Sequence, residues 1–394
     1  MKILVVDKLS DAVNAQLEKL GGHVICKSVP AEALPQNLAD IEILIVRSTK
    51  VTAEAIQSAP LLSLIIRAGA GVNTIDLDAA SSRGIHVANC PGKNTDAVAE
   101  LAIGLLIAAD RRIVNAATDL RNGKWRKKEY SKADGLKSRT LGIVGLGSIG
   151  KAVAERAAGL GMNVIAWSRS LTPEAAENMK IGYCASFAEV AEKADAVTVH
   201  LAYSAEMKHL IGGNFLSRMK DGAIFINTSR GEIVDTAALK DVIKSKSLNV
   251  AADVYENEPA GSEADFTDTE LAQMITGTPH IGASTEQAAE AIADEVVKIV
   301  ESYKRTGRPL NTVNISAKSS AIINLVIRHY NRVGVLAGVL DKLRNDGINI
   351  EEMENLIFEG GHAASCTLRL DSEPAQETIK SIEQDSNIIK VLLN

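Results

Sequence analysis

The sequence lacks the features that mark a disulfide-rich, zinc-binding or membrane-inserted protein. Its four cysteines, Cys26, Cys90, Cys184 and Cys366, are far apart and include no CxxC pair, which argues against a disulfide framework and a structural zinc site. The N-terminal apolar run ends at Asp7, too early for a signal peptide or a membrane span. We therefore expect a cytoplasmic protein with reduced thiols and no metal site.

A basic surplus is also missing. The chain has 43 Lys and Arg against 49 Asp and Glu, a formal net charge of -6 at pH 7. Proteins that bind nucleic acids or membrane surfaces usually carry a positive excess, which neutralises phosphates. We therefore expect a small-molecule substrate as the partner, with no nucleic acid and no membrane, although local basic clusters could still bind a small anion.

What the chain does have is length and an alternation of apolar runs with helical stretches. Its 394 residues, 46% of them hydrophobic and 23% charged, indicate a folded protein of two or three domains. Apolar runs at 2–6, 42–46 and 62–66 predict a first α/β unit. The proline-free stretch AVAELAIGLLIAADRRIVNAATDL predicts one long helix, opened by the polar residues 94–96.

Two more units are predicted after this helix. TLGIVG is strand-like, and further apolar runs of strand length recur at 163–167, 195–201, 223–227 and 249–254. We interpret the turn-rich stretch GRPLNTVNISAK as a linker, after which the pattern is strand, helix, strand, strand, helix, strand. The predicted fold class is α/β, with two doubly wound parallel-sheet domains and a C-terminal βαββαβ unit of the ferredoxin-like type.

The motif GLGSIG, residues 145–150, follows a predicted strand and opens a predicted helix. In this context Gly145 permits a tight turn, Gly147 lets the backbone approach a pyrophosphate, and Gly150 lets the helix pack closely on the strand. The N–H groups at the start of the helix form an anion site for the pyrophosphate. The motif therefore predicts binding of a dinucleotide.

The end of the next predicted strand leaves the choice between NAD and NADP open. An acid roughly 20 residues after the motif favours NAD, whereas an Arg there can accept the 2′-phosphate of NADP. The sequence has Ser168 and Arg169 at this point and no carboxylate. Arg169 is therefore either a ligand of that phosphate or a solvated charge, with NAD bound through other contacts.

Arg230, Glu258 and His280 stand in loops or at predicted strand ends of the same unit. Oxidation of a 2-hydroxy acid needs a base for the hydroxyl proton, a cation for the carboxylate and a hydride acceptor. His280 suits the base, because imidazole titrates near neutral pH and a neighbouring Glu258 would raise its pKa. Arg230 suits the carboxylate through its bidentate fork. Each residue alone could be an ordinary surface group, but together with a nucleotide motif they predict this chemistry.

Seven segments of the chain resemble those of one enzyme family, in the family's order. They are VRSTKVTAEAI, IIRAGAGVNTIDLDAA, NCPGKNTDAVAE, IVGLGSIGKAVA, INTSRGEIVD, DVYENEP and TPHIGAST. Through them the chain resembles the D-isomer-specific 2-hydroxyacid dehydrogenases along essentially its whole length. The resemblance implies a discontinuous, flavodoxin-like substrate lobe and a Rossmann cofactor domain. The implied boundaries are 1–93 with 281–306 for the lobe, 94–280 for the cofactor domain, 307–318 for the linker and 319–394 for the C-terminal domain.

The resemblance also implies roles for individual residues. It makes Arg230, Glu258 and His280 the catalytic residues, in agreement with the chemical reasoning. The residues implied for the cofactor are Gly145, Gly147, Ser148, Ile149, Gly150, Ser168, Arg169, His200, Thr228 and Asp253. Those implied for the substrate are Arg47, Lys50 and Arg67 at a phosphate, Ala70, Gly71 and Val72 at a carboxylate, and Asn94 in the cleft. Arg47 and Lys50 could instead be solvated loop charges.

The cations help to choose among the family's substrates. A phosphate carries close to two charges, so two or three cations suit 3-phosphoglycerate better than lactate or glycerate. The resemblance thus implies NAD-dependent oxidation of 3-phosphoglycerate to 3-phosphohydroxypyruvate, the first step of L-serine biosynthesis. Two alternatives stay open. One is a glyoxylate or hydroxypyruvate reductase that uses NADPH, and the other is a non-catalytic NAD(H)-sensing regulator that keeps the fold.

The C-terminal unit resembles an ACT domain, a module that senses small molecules, through the stretches 329–336 and 347–349. The resemblance implies L-serine as an effector, bound by His329, Asn331 and Asn349 at an interface between two such domains. A bare dimerisation module is the alternative. Pairing through these domains favours a homodimer or homotetramer.

A basic stretch, KWRKK at residues 124–128, follows the predicted long helix. In relatives this region lies at the dimer contact, where Arg126 or Lys127 could reach the neighbouring cleft. A plain run of solvated charge is the alternative.

Overall fold

The structure is a computed structural model that describes residues 1–7, 9, 11–259, 263–316 and 319–394. These residues form two compact units, Met1–Asn314 and Ile315–Asn394. The first unit contains two parallel sheets and the second contains one antiparallel sheet. The predicted α/β fold class is therefore confirmed. No helix among the described residues is long and apolar enough to cross a membrane.

The first sheet consists of short strands, most of them buried. Its elements are β1 (Lys2–Val5), α1 (Asp11–Lys19), β2 (His23–Cys26), β3 (Ile43–Val46), α2 (Ala53–Gln57), β4 (Leu64–Arg67), α3 (Leu77–Ser82) and β5 (His86–Asn89). The strands are parallel in the order β2-β1-β3-β4-β5, which is the flavodoxin-like order. Because this order reverses between β1 and β3, the residues that follow these strands, Asp7 and Arg47, meet at one edge of the sheet.

The second sheet is larger. Its helices are α4 (Thr95–Arg111), α5 (Ile113–Arg121), α6 (Lys127–Tyr130), α7 (Ser148–Gly159), α8 (Pro173–Asn178), α9 (Phe187–Lys193), α10 (Gly213–Leu216), α11 (Thr236–Lys246) and α12 (Thr269–Met274). Its strands are β6 (Thr140–Val144), β7 (Asn163–Trp167), β8 (Gly182–Tyr183), β9 (Ala196–Val199), β10 (Ile224–Asn227), β11 (Asn249–Ala252) and β12 (Thr276–Gly277). They are parallel in the order β12-β11-β10-β9-β6-β7-β8. This Rossmann order reverses between β6 and β9, where such sheets form a crevice for a ligand.

The chain returns to the first sheet after β12. Helix α13 (Glu286–Thr306) buries Ile292, Val296 and Ile299 in the same core as Ile3 and Ile43 of the first sheet. Residues 312–314 of the predicted linker hydrogen-bond beside β5. Residues 317 and 318 of that linker lie outside the described residues. The predicted domain boundaries stay predictions.

The second unit is a βαββαβ arrangement, as predicted. Its elements are β13 (Ile323–Tyr330), α14 (Val335–Asn345), β14 (Ile350–Ile357), β15 (Ala363–Leu370), α15 (Gln376–Glu383) and β16 (Ile388–Leu393). The strands are antiparallel in the order β14-β15-β13-β16. Leu325, Ile327, Leu343 and Leu368 are completely buried in its core.

The prediction of one long helix after residue 94 is wrong. Helix α4 ends and α5 begins around Arg112, whose backbone is left-handed with a φ of 50°. The Arg112 guanidinium donates to Glu129 Oε1 at 2.7 Å and lies 5.1 Å from the ring centroid of Tyr130. Both partners lie outside the helix, so its apolar periodicity did not indicate the break.

Candidate active site

One cleft of the first unit is lined by polar residues that lie far apart in the sequence. One lining residue, Asn73, comes from the part of the chain that forms the first sheet (the first lobe). The others come from the part that forms the second sheet: Arg230, Glu232, Tyr255, Glu256, Asn257, Glu258 and His280. The three residues predicted as catalytic therefore lie in one cleft. Among the described residues, no group of three or more His, Cys, Asp or Glu is placed to hold a metal ion.

His280 and Glu258 form a close pair. His280 Nδ1 lies 2.6 Å from Glu258 Oε2, and Glu258 Oε1 accepts a hydrogen bond from the backbone N–H of Tyr255 at 3.0 Å. The hydrogen bond to Glu258 raises the pKa of His280 although partial burial opposes the charge. With Nδ1 engaged, Nε2 is the ring atom left to exchange a proton with a substrate.

Asp253, at the end of β11, holds the loop that carries His280. Its side chain is almost completely buried and accepts hydrogen bonds from Thr278 Oγ1 at 2.6 Å and from the N–H groups of Ile281 and Gly282, each at 2.8 Å. His280 itself has a φ of 53°, a left-handed conformation that costs a non-glycine residue free energy. The bonds to Asp253 on both sides of His280 hold the loop in that conformation.

Arg230 follows β10 on a turn that is fixed by its own neighbours. Asn227 Nδ2 donates to the carbonyl oxygen of Arg230 at 2.9 Å, and Arg230 Nη1 donates to the carbonyl oxygen of Ser229 at 2.7 Å. The next residue, Gly231, packs so tightly on the backbone of Tyr255 that a Cβ would overlap with it. The arginine turn and the loop before Glu258 are therefore in direct contact.

Arg47 and Arg67 approach Arg230 from the first lobe. Arg67 Nε donates to the carbonyl oxygen of Arg47 at 3.0 Å. Burial, together with the charges of Arg230 and Arg47, lowers the pKa of Arg67 to about 10. In the described part of the chain none of these three guanidinium groups forms an ion pair with a carboxylate. Lys50 lies on the same loop as Arg47, and its side chain is exposed.

The backbone of Ala70, Gly71 and Val72 faces this cluster. A Cβ on Gly71 would overlap with Arg230 Nη2, and one on Gly69 would overlap with the Arg67 guanidinium. Within the described residues the N–H groups of Ala70, Gly71 and Val72 donate to no protein acceptor. Consecutive unpaired N–H groups of this kind form an anion-binding concavity. Asn94 is half-buried at the start of α4.

The glycine-rich turn has the geometry that a dinucleotide needs. Gly145 has a φ of 100°, and a Cβ on it would lie 2.6 Å from the carbonyl oxygen of His200. A Cβ on Gly150 would overlap with the carbonyl oxygen of Gly145, whereas one on Gly147 would meet nothing within 4 Å. Ser148 is exposed and Ile149 half-buried in the first turn of α7. The open space beside Gly147 and the helix start suit a pyrophosphate.

The remaining residues predicted for the cofactor lie near the ends of strands of the same sheet. Ser168 and Arg169 follow β7, and Arg169 is exposed with no hydrogen bond or ion pair in the described chain. Burial lowers the pKa of His200 to about 4, so its ring is neutral near pH 7. His200 Nδ1 and Thr228 Oγ1 are buried without a partner among the described residues. Because buried polar atoms are usually satisfied, these two fit a polar cofactor.

The three predicted effector residues do not come together within one C-terminal unit. His329 is buried, its Nε2 lies 3.3 Å from Asn355 Oδ1, and Asn331 Nδ2 donates to the carbonyl oxygen of Gly361. His329 pairs with Ala364, whereas Asn349 precedes Ile350, which pairs with Leu370 at the other end of β15. Six residues of a strand span about 20 Å, so one ligand could contact all three only across two copies.

The basic stretch 124–128 is exposed. Arg126 Nε lies 3.5 Å from Asp119 Oδ2, Lys127 begins α6, and the side chain of Trp125 is 80% exposed. Within the single chain these residues do not line the cleft around His280. A role in a neighbouring cleft stays a prediction.

The sequence did not predict several residues that support this site. The Asp7 carboxylate accepts hydrogen bonds from the N–H groups of Ser48 at 2.9 Å and Thr49 at 3.1 Å, and also from that of Arg47. His209 Nε2 lies 2.5 Å from Glu256 Oε1, which anchors the segment before Glu258. The signal for Asp7 was its position directly after an apolar strand, where site residues of parallel sheets lie.

Comparison with known proteins is consistent with this geometry. Residues 103–282 match the family described as D-isomer specific 2-hydroxyacid dehydrogenase, NAD binding domain. The chain is 39% identical to the glyoxylate reductase of Thermococcus litoralis over 303 residues, which cover 75% of this chain and 90% of that protein. The chain belongs to the D-isomer specific 2-hydroxyacid dehydrogenase family. Membership of this family, with its NAD binding domain, confirms the predictions of a nicotinamide-dependent oxidoreductase and of NAD as its cofactor.

Phosphoglycerate dehydrogenases are among its relatives. The chain is 37% identical over 317 residues to the D-3-phosphoglycerate dehydrogenase of Methanocaldococcus jannaschii, covering 80% of this chain and 60% of that protein. A solved structure of NAD+-bound 3-phosphoglycerate dehydrogenase from Entamoeba histolytica superposes with a TM-score of 0.67 at 28% identity, covering 80% of this chain and 99% of that one. The chain thus spans about 60% of the length of the curated phosphoglycerate dehydrogenases that it matches.

The His280–Glu258 contact can be tested by titration. We expect a pKa for His280 above its ordinary value of about 6.5, because Glu258 stabilises the protonated ring. Replacing Glu258→Gln removes the largest cause of this rise and leaves Asp253 alone to oppose burial and Arg230, so the pKa of His280 should fall. The measurement is an NMR titration of the ring, with the signal assigned by its loss in His280→Gln. Glu256→Gln, which removes the carboxylate beside His209 instead, is the matched control. An equal shift in both variants would contradict a specific pair.

Proposed function

We propose that this chain is a D-3-phosphoglycerate dehydrogenase, which oxidises 3-phosphoglycerate to 3-phosphohydroxypyruvate with NAD in the first step of L-serine biosynthesis. The observation that carries the proposal is the cluster of Arg47, Arg67 and Arg230 with no carboxylate partner in the described chain. Positive charges held together in this way favour a ligand with several negative charges. The substrate has two anionic groups, a phosphate and a carboxylate.

The cluster divides between these two groups. Arg47, Arg67 and Lys50 belong to the first lobe and would hold the phosphate. Arg230 and the unpaired N–H groups of residues 70–72 would hold the carboxylate, with the guanidinium also near the oxygen on C2. Arginine binds such planar anions through two parallel hydrogen bonds, so this arrangement fixes the orientation of C2 towards His280.

The proton leaves through His280. Its Nε2 would accept the proton of the C2 hydroxyl as the carbonyl forms, and the carboxylate of Glu258, 2.6 Å from Nδ1, would stabilise the resulting imidazolium. In the reverse direction the same ring would donate the proton. The bound nicotinamide supplies the acceptor for the hydride from C2.

A reductase of glyoxylate or hydroxypyruvate that uses NADPH is the second candidate. Two observations favour it. Arg169 is free where an acid would favour NAD, and the identity to a glyoxylate reductase extends over 90% of that protein. A regulator that binds NAD(H) without turnover is the third candidate, and the pairing of His280 with Glu258 argues against it.

The C-terminal unit supports a proposal of feedback control. Its βαββαβ arrangement and antiparallel sheet support the proposal of an ACT-like module, and its predicted effector residues lie at opposite ends of one sheet. A second copy of the chain would be needed to bring them together, which supports a homodimer or homotetramer with L-serine bound between two modules.

The substrate is tested by comparing variants on three 2-oxo acids. With NADH, we expect kcat/KM to be highest for 3-phosphohydroxypyruvate and lower for hydroxypyruvate and glyoxylate. Arg47→Ala should lower kcat/KM for the phosphorylated acid by about 10- to 100-fold, the usual effect of losing one charged hydrogen bond. It should change kcat/KM for hydroxypyruvate little. Arg305→Ala removes an exposed charge at the end of α13 and is the control. Equal loss on both acids would argue against a phosphate site, and no turnover of any acid would favour the regulator.

Cofactor choice is tested at Arg169. If Arg169 binds a 2′-phosphate, Arg169→Asp should lower the ratio of kcat/KM with NADPH to that with NADH by about 10-fold or more. If Arg169 is only a solvated charge, the ratio stays near its wild-type value. Arg305→Asp applies the same charge change away from the cofactor.

L-Serine binding is tested by isothermal titration calorimetry. We expect saturable heat from L-serine in the wild-type chain. Binding should be weaker in Asn349→Ala, because the exposed amide of Asn349 would be lost as a hydrogen-bonding group for the ligand. D-Serine, with the same groups in the wrong arrangement, is the control ligand. Absence of heat from L-serine would remove the effector from the proposal.

A further inference from the structure

The segment that leads out of the first unit is attached to the edge of the first sheet. We call residues 311–314 the exit strap. Thr312 forms an antiparallel bridge with Ala88 of β5, and the N–H of Val313 donates to the carbonyl oxygen of Val87 at 2.8 Å. Asn314 closes the strap: its Oδ1 accepts from the N–H of Val87 and its Nδ2 donates to the carbonyl oxygen of Ile85, both at 2.8 Å.

The other end of the exit strap is anchored on α13. Asn311 Nδ2 donates to Glu295 Oε1 at 2.7 Å, and Glu295 Oε2 lies 3.0 Å from Lys93 Nζ. Burial acts against the charge of Glu295, but the bonds from Lys93 and Asn311 hold its pKa below the usual range. Lys93 directly precedes Asn94, where the chain passes to the second sheet. The strap is therefore fixed at both ends rather than free.

Asn89 touches the exit strap and the predicted substrate loop at once. Its backbone N–H donates to the carbonyl oxygen of Asn311 at 3.3 Å, and its side-chain Nδ2 donates to the carbonyl oxygen of Ala70 at 2.5 Å. The next residue, Cys90, donates its N–H to the carbonyl oxygen of Gly69 at 2.9 Å. Two successive carbonyl groups of the loop are thus bonded to the end of β5.

These two bonds decide where the loop's N–H groups point. In a trans peptide the C=O of one residue and the N–H of the next point in opposite directions. Fixing the carbonyl of Gly69 therefore directs the N–H of Ala70 away from β5, and fixing the carbonyl of Ala70 does the same for the N–H of Gly71. Both N–H groups are unpaired in the described chain, and Gly71 lies against Arg230.

We propose that Asn89 is a positioning residue for binding of the substrate carboxylate, and that the exit strap holds it in place. Asn89 touches no reacting atom; it acts by orienting the N–H groups of residues 70 and 71. The strap acts by fixing the strand that carries Asn89. This proposal rests on the proposed function in one respect, namely that loop 70–72 binds a carboxylate of a 2-oxo acid. Because the second unit begins at Ile315, the strap is also the segment that joins that unit covalently to the end of α13.

The first test compares KM with kcat on two substrates that share a carboxylate. Asn89→Ala removes the donor to Ala70, so KM for 3-phosphohydroxypyruvate and for hydroxypyruvate should rise together, about 3- to 10-fold. The kcat values and the KM for NADH should stay within about twofold, since His280 and the glycine turn are untouched. Asn89→Asp keeps the shape but places an acceptor against the carbonyl, and should raise both KM values at least as much.

The matched control is Asn37→Ala. Asn37 Nδ2 donates to the carbonyl oxygen of Ala33 at 2.6 Å, so the variant loses a similar amide-to-carbonyl bond in the same lobe, away from loop 70–72. It should leave both KM values unchanged even if it lowers the thermal midpoint. If Asn37→Ala and Asn89→Ala raise KM equally, Asn89 has only a general structural role and the proposal fails.

The second test addresses the exit strap by hydrogen exchange. Asn314→Ala removes the side-chain bonds to Val87 in β5, to Ile85 and to Ser81. Amide exchange should therefore become faster at Asn89 and Cys90, whose N–H groups donate to Asn311 and Gly69, and stay unchanged at residues 145–150. The double variant Asn89→Ala with Asn314→Ala should raise KM less than the product of the two single effects, because both act through one chain of contacts. Unchanged exchange at Asn89 and Cys90, or fully multiplicative effects on KM, would overturn the role of the strap.

The outcomes separate this proposal from the proposed function. If Arg47→Ala lowers kcat/KM equally for 3-phosphohydroxypyruvate and hydroxypyruvate while Asn89→Ala raises both KM values, the substrate assignment is wrong and the positioning role stands. If the chain turns over neither acid, amide exchange at Cys90 in Asn89→Ala still decides. A loop freed from Asn89 should hold the bond from the Cys90 N–H to the Gly69 carbonyl less firmly, so exchange at Cys90 should become faster. A rise in KM for the phosphorylated acid alone would contradict the carboxylate loop.

Discussion

Electrostatic repulsion between Arg47, Arg67 and Arg230 is the constraint on which the rest of the site depends. The free protein does not neutralise these charges with a carboxylate in the part of the chain that the structure describes. It holds each arginine by bonds that leave the charge in place. Asp7 binds the backbone of the loop that begins with Arg47, and Asn227 binds the carbonyl oxygen of Arg230. The supporting polar groups thus fix positions, and the charge of Asp7 offsets only part of the repulsion at Arg67.

The features that were predicted from sequence are those whose physical requirements are local or chemical. The turn at residues 145–150 needs glycine because backbone atoms within six residues of one another come close, as a Cβ on Gly150 would overlap with the Gly145 carbonyl. The pairing of His280 with Glu258, 22 residues apart, was predicted from the chemistry that a dehydrogenase needs. The C-terminal βαββαβ order was predicted from the succession of strand-like and helix-like stretches along one continuous segment.

The features that escaped prediction depend on pairing between distant strands. Asp7 contacts residues about 40 positions away, and Asn89 contacts both Ala70 and Asn311. Each contact follows from the sheet order and the strand register, which no short segment encodes. The break at Arg112 has a similar cause, since Glu129 and Tyr130 compensate for its left-handed backbone from outside the helix. Site residues were thus easier to predict than the residues that hold them.

The charge balance of the cleft links this scaffold to substrate choice. Arg47, Arg67 and Arg230 bring three positive charges, whereas a phosphorylated 2-oxo acid brings close to three negative ones and glyoxylate brings one. Burial, followed by the charges of Arg230 and Arg47, lowers the pKa of Arg67 to about 10, and binding of the phosphorylated acid would relieve the part that comes from repulsion. Glyoxylate would interact with Arg230 and leave Arg47 and Arg67 unpaired beside each other. Part of the binding free energy would therefore come from relief of the repulsion among these arginines, and a ligand with two anionic groups would gain more of it than a ligand with one.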